Sequence, residues 1–197
     1  MKRVLTIISA FLLTCCFAAE AYAQTDWTAT QSAGGSLQGN FILRSDVTLG
    51  STIYIQNGTS LTIDLNGHTI TFPKDKGRVC LCYGGGELTI KDSSPGKTGV
   101  ITGGEGDRGG FCYLIGKFNF LGGTIKNAHA VEGGEGYNYE NAFTNGVGGA
   151  VYVQAGAEFI MDGGNIEDCS AYGYKDDPDI NGKYYSQDGI GWMPHMG

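Results

Sequence analysis

The stretch Cys112-Tyr113-Leu114-Ile115-Gly116-Lys117-Phe118-Asn119-Phe120-Leu121-Gly122-Gly123-Thr124-Ile125-Lys126-Asn127 divides into three short runs separated by glycine, with apolar residues recurring at every second position of each run. A period of two is the mark of a strand, and glycine permits the positive φ of a tight corner. Ile53 to Phe72, Cys80 to Ile101 and Val151 to Asp168 can be laid over it. Down the columns run Ile53, Cys80, Cys112, Val151; then Ile55, Cys82, Leu114, Val153; then Leu61, Leu88, Phe118, Phe159; then Ile63, Ile90, Phe120, Met161; and finally Ile70, Ile101, Ile125, Ile166. Every one of these positions is apolar, whereas Thr62, Thr89 and Asn119 between them are polar.

Leu61 to Leu88 is 27 residues, Leu88 to Phe118 is 30 and Phe118 to Phe159 is 41, the range of stacked repeats whose units bury their apolar faces against one another. A hairpin array would instead need tight two-residue turns between antiparallel neighbours. Like residues so far apart come into columns only if the chain winds in one direction, so the spacing predicts an all-β, parallel β-helix of about four coils. Its interior would hold roughly twenty apolar side chains at about 1.5–3 kcal/mol each, which offsets the ordering of a glycine-rich backbone. The 34 glycines sit at corners between apolar runs rather than in one tract, which argues against disorder. Trp27 to Gly39 lacks the column pattern and reads as an N-terminal cap. The domain reading is therefore a signal peptide over 1–23, a cap and lead-in strand over 24–50, and the β-helix over 51–197.

Thr62-Ile63-Asp64-Leu65-Asn66-Gly67-His68-Thr69-Ile70-Thr71, followed by Gly148–Val153 and Met161-Asp162-Gly163-Gly164-Asn165-Ile166, resembles the right-handed parallel β-helix proteins of the pectin-lyase-like superfamily. More narrowly, it is similar to secreted β-helix proteins of gut bacteria. The resemblance spans about Phe41 to Asp168 and implies a right-handed fold. It leaves activity open, because this scaffold carries lyases, hydrolases and non-catalytic adhesins.

Lys2 and Arg3, an apolar run from Val4 to Ala19, and Ala21-Tyr22-Ala23 read as a secretory signal peptide with its cleavage site. Cys15 and Cys16 raise a lipoprotein alternative, but Thr14 and Cys15 stand where a small residue usually precedes the acylated cysteine. The expected product is exported: secreted, periplasmic or on the cell surface, with no transmembrane segment. The chain has 13 basic and 20 acidic residues and a net charge of −7. Cleavage after Ala23 would remove Lys2, Arg3 and Glu20. An acidic surface argues against nucleic acid and anionic membranes as partners.

Cys80, Cys82, Cys112 and Cys169 would meet an oxidising compartment. The columns set Cys80 beside Cys112 within the reach of a disulfide; burial of both as small hydrophobes in a ladder is the competing reading. Zinc at Cys80-Leu81-Cys82 is disfavoured by the short spacing and by both thiols facing inward.

The links after the third strand of each coil lengthen along the chain: Pro73–Arg78, Gly103–Gly110, Ala128–Gly149 and Ser170–Gly191. Leaving from one corner, they should gather on one side, where binding residues commonly sit. Tyr137, Tyr139, Glu140, Tyr172 and Tyr174 offer a sugar flat apolar platforms and polar partners, although tyrosines that pack the links onto the coil would look the same. Asp177, Asp179, Asn181 and Asp188 match positions one, three, five and twelve of a calcium loop, with Gly182 at six. Ca2+ is therefore a candidate ligand, although the glycines and proline that follow leave no exiting helix. His68 reads as a turn residue, while His129 and His195 have no evident partners.

Three functions fit. The first is a non-catalytic module that binds polysaccharide or acts in adhesion through the tyrosine-rich links. The second is a polysaccharide lyase or glycoside hydrolase; against it, Asp64, Lys91, Leu121 and Asp162, expected outward on neighbouring coils, do not stack acids. The third is a structural piece of a larger surface protein. Trp192 and Met193 fall where a fifth coil would start, so either another subunit covers that coil in an end-to-end association or the natural protein continues.

Overall fold

The computed structural model describes residues 23–131 and 146–171. It opens with β1 (Thr25–Asp26) and a single helical turn, α1 (Ala29–Ser32). Thr28 caps that turn reciprocally: its Oγ1 accepts from the Thr30 N–H, and Gln31 Oε1 accepts from the Thr28 N–H. Five rows follow. The first is β2 (Gly35–Ser36), β3 (Gly39–Ile42) and β4 (Val47–Thr48); the second is β5 (Ile53–Ile55), β6 (Ser60–Asp64) and β7 (Thr69–Phe72). The third is β8 (Cys80–Cys82), β9 (Glu87–Lys91), β10 (Val100–Gly103) and β11 (Glu105–Gly106). The fourth is β12 (Cys112–Leu114), β13 (Lys117–Phe120), β14 (Thr124–Lys126) and β15 (His129–Ala130). The fifth is β16 (Val151–Val153), β17 (Glu158–Met161), β18 (Asn165–Glu167) and β19 (Ser170–Ala171).

Each sheet takes one strand from every row it crosses, in the orders β2-β5-β8-β12-β16, β1-β3-β6-β9-β13-β17, β4-β7-β10-β14-β18 and β11-β15-β19. The pairings are parallel, so the described chain is all-β and built of parallel sheets. All five apolar columns are paired in register: Ile53 with Cys80, Cys80 with Cys112, and Cys112 with Val151 on the first sheet; Leu61, Leu88, Phe118 and Phe159 on the second; Ile70, Ile101, Ile125 and Ile166 on the third. Except for Val153 and Met161, their side chains make one continuous core in which Phe118 stacks on Phe159 at 5.1 Å and lies 5.7 Å from Phe111.

Four features depart from the sequence reading. The lead-in holds a paired row of its own, with Gly35 opposite Ile53 and Gly39 opposite Leu61. Glycine has no side chain to contribute to those two columns, although Phe41 and Val47 of the same row join the columns of Ile63 and Ile70. Trp27 covers this end, edge-on to Phe41 at 5.8 Å. The links also begin with a fourth strand, in which Glu105, His129 and Ser170 form one column and Gly106, Ala130 and Ala171 the next. They leave from a shared corner, as expected: Gly103, Asn127 and Asp168, one step past the paired Thr102, Lys126 and Glu167, all have positive φ. A Cβ on Gly103 would fall 2.0 Å from the Phe72 carbonyl oxygen, so only glycine fits there.

Third, Asp64 is buried rather than outward, at 1% exposure. Its Oδ1 accepts from the backbone N–H groups of Asn66 and Ser93, and Lys91 Nζ lies 3.6 Å from Oδ2. Asp92 does the same one row on, with Oδ1 accepting from Gly67 and Ser94 and Oδ2 from Gly99 at 2.6 Å. The corner exposes backbone donors that no strand satisfies, and a carboxylate turned inward satisfies several at once. Fourth, two column residues of the last described row are not enclosed: Val153 and Met161 are 38% and 41% exposed. Cys80, Cys82, Cys112 and Cys169 are buried and unbridged, in keeping with their reading as interior hydrophobes. Among the described residues no helix is long and apolar enough to cross a membrane.

Candidate functional site

Once the interior positions of a row are fixed by burial, the residues between them must point out, and the three long sheets present different outer surfaces. On the β3-β6-β9-β13-β17 sheet the outward residues are mostly polar or charged, with Glu87, Lys117 and Glu158 alternating in sign along one column and Thr62, Thr89 and Asn119 leading to Ile160 along the next. On the β4-β7-β10-β14-β18 sheet they include Thr48, Thr71, Thr102, Lys126 and Glu167 in one column. The β2-β5-β8-β12-β16 sheet is aromatic. Tyr54, Leu81, Tyr113 and Tyr152 are paired in register on its outer face, and Tyr83 stands two residues from Leu81 on the same strand side.

Tyr54, Tyr113 and Tyr152 are half-buried and Tyr83 is 37% exposed. Gln56 and Gln154 flank the rings: Gln56 Nε2 donates to Ser36 Oγ at 2.9 Å, and the Tyr113 hydroxyl donates to Gln154 Oε1 at 2.7 Å. Tyr113 also meets Tyr152 edge-on at 5.3 Å. Two arginines anchor this end of the face. The Arg78 guanidinium lies 5.3 Å from the Tyr113 ring centre, and that of Arg108 lies 5.9 Å from Tyr113 and 5.8 Å from Tyr152, within cation–π range. Burial works against the Arg108 charge, but the Tyr113 hydroxyl and the neighbouring Asp107 carboxylate hold its pKa above the ordinary value.

Arg78 belongs to the interior side of the cluster. It pairs with Asp107 at 2.5 Å, both nearly buried, and donates through its other terminal nitrogen to the Arg108 carbonyl at 2.7 Å. A buried pair with its remaining donors satisfied fixes geometry more than it adds stability. Here it ties β8 to the link that precedes β12, and so holds Tyr113 in place. Tyr54 and Tyr83 make no ring or cation contact among the described residues, which leaves them as the rings most open to a partner. This face can stack against a flat, weakly polar ring and supply amide and hydroxyl partners to its edge. Its signal was present in the residues between the column positions, Ile53-Tyr54-Ile55, Cys112-Tyr113-Leu114 and Val151-Tyr152-Val153, which reading for the interior alone passes over.

A second polar arrangement lies on the link side. His129 Nδ1 and Ser170 Oγ are 2.7 Å apart across β15 and β19, so His129 does have a partner. Burial and the nearby Lys74 lower the His129 pKa against the pull of Glu105. Ser170 is 7% exposed, so the pair serves as a clamp between neighbouring links. His68 Nδ1 lies 3.5 Å from Asp46, in keeping with a turn role.

Tyr137, Tyr139, Glu140, Tyr172 and Tyr174, and the calcium-loop residues Asp177, Asp179, Asn181 and Asp188, lie outside the described residues. Among the described residues no cluster of three or more His, Cys, Asp or Glu side chains could hold a metal ion. No family model, no curated protein and no solved structure matches the chain.

Proposed function

We propose that the chain is an exported, right-handed parallel β-helix that binds polysaccharide without cleaving it, through the tyrosine face of the β2-β5-β8-β12-β16 sheet. The winding is supported by the five in-register rows of parallel strands, and the hand by the strong preference of parallel crossover connections for the right-handed sense. Export rests on the sequence of residues 1–23. The observation that carries the binding reading is the segregation of rings: one outer face holds Tyr54, Tyr83, Tyr113 and Tyr152, while its two neighbours are dominated by Thr, Asn, Glu and Lys.

Neutral polysaccharides suit an acidic chain better than anionic ones. Titration against a panel of neutral and acidic polysaccharides tests the reading. Tyr54→Ala and Tyr83→Ala should each weaken binding roughly 5- to 10-fold, about 1–1.4 kcal/mol for a stacked ring. Thr62→Ala and Thr89→Ala, on the adjoining polar sheet, should leave it unchanged. Binding that survives both tyrosine substitutions would remove the face from consideration, and release of reducing or unsaturated ends would favour the lyase or hydrolase reading instead. A structural role in a larger stack has its own support in the exposed column residues Val153 and Met161 of the last described row.

A further inference from the structure

Cys80 and Cys112 face each other in register on β8 and β12, both buried in the core. Cys82, two residues along, faces Leu114 and Ile55 instead, and Cys169 donates to the Glu167 carbonyl at 3.2 Å. Cys80 and Cys112 are thus the pair of described thiols that the register sets opposite each other. Adjacent strands lie about 4.8 Å apart, within the roughly 4.4–6.8 Å between Cα atoms that a disulfide spans.

We propose that Cys80 and Cys112 are a cross-strand disulfide site that closes only while the chain is folding: a small disulfide oxidant present at that stage links the two rows, whereas a chain that folds reduced keeps both thiols for as long as it stays folded. In the linking reaction one cysteine thiolate attacks the oxidant, forming a mixed disulfide and releasing one small thiolate. The second cysteine thiolate then attacks the protein sulfur of that intermediate and releases the other. The two cysteine protons end on the two released thiols, so one disulfide is reduced as one is made. Attack needs a thiolate and an approach path. The folded interior denies both, since Cys80 and Cys112 are 3% and 0% exposed and burial pushes the Cys80 thiol far above its ordinary pKa. The same burial then shields the disulfide from reduction.

The test compares two routes to the folded full-length chain in one glutathione redox buffer, with free thiols alkylated at intervals and cross-links located by peptide mass. Unfolded chain refolded in the buffer should acquire the Cys80–Cys112 link, with the loss of two hydrogens and a melting temperature several degrees higher. Chain folded under reducing conditions and then moved to the buffer should oxidise at least about 100-fold more slowly, at the rate of opening of the surrounding strands. Cys82→Ala should keep the link and Cys112→Ala should abolish it. The wild-type peptide map decides the matter even if the latter variant folds poorly. Absence of the link after oxidative refolding, a link through Cys82 instead, or equal oxidation rates by both routes would overturn the proposal.

Discussion

Asp92 shows how one side chain can hold a corner. Burial alone would raise its pKa, but the backbone N–H groups of Gly67, Ser94 and Gly99 bring it below the ordinary carboxylate value, and Asp64 is lowered in the same way against its own burial, by Ser93, Gln24 and Asn66. Because both folded-state values are depressed, the stabilisation is complete above the unfolded value of about 3.9 and is lost as pH falls through the folded values. Chemical denaturation followed against pH should therefore show stability falling steeply below about pH 4. In Asp92→Asn the amide NH2 must face a backbone donor, because both carboxylate oxygens are already accepting, and the expected loss is about 2–3 kcal/mol with a shallower acid limb. An unchanged acid limb in that variant would mean that Asp92 is not the group being titrated. The sequence hid this role because Asp64 stands where alternation predicts an outward residue. A corner breaks the alternation, and the requirement that takes over, satisfying backbone donors, is invisible to a pattern of apolar residues. Arg78 and Asp107, 29 residues apart, were illegible for a related reason: an ion pair between rows leaves no local mark.

At the scale of strands, reading succeeded wherever a position was both apolar and repeated. The columns through Leu61 and Ile70 came out in the correct register because a slip of one residue would turn every buried side chain to the outside. It failed where the strand's contribution is backbone alone. Gly35 and Gly39 in the first row, and the two-residue strands β11, β15 and β19, pair through the main chain and are too short for a period to emerge. The energetic weight of a column should then follow its burial. Phe118 is fully buried between Leu88 and Phe159, whereas Phe159 is only half-buried at the last described row. Phe118→Ala should cost about 3–5 kcal/mol in urea denaturation, and Phe159→Ala about 1–2 kcal/mol. Equal losses at the two sites would show that the stack does not weaken toward its end.

Over the described residues each row pairs its strands only with the rows beside it, so stability should be distributed along the stack as a sum of row and interface contributions. The two ends are unequal. Trp27, α1 and Phe41 cover the first row, while the last described row exposes Val153 and Met161. Opening should therefore begin at β16–β18 and travel inward, with the central rows, which have partners on both sides, opening last. Hydrogen exchange under native conditions should show the slowest amides at Leu88–Ile90 and Phe118–Phe120, and faster exchange at Phe159–Met161 and Ile166. Phe159→Ala should accelerate exchange in β17 and β18 while leaving β6 unchanged, because three row interfaces separate them. Acceleration of β6 by the same factor would show that the rows unfold as one cooperative unit. The tyrosine face runs across several row interfaces, so the proposed polysaccharide binding would then be lost in a single step with the global transition rather than declining as the outer row opens.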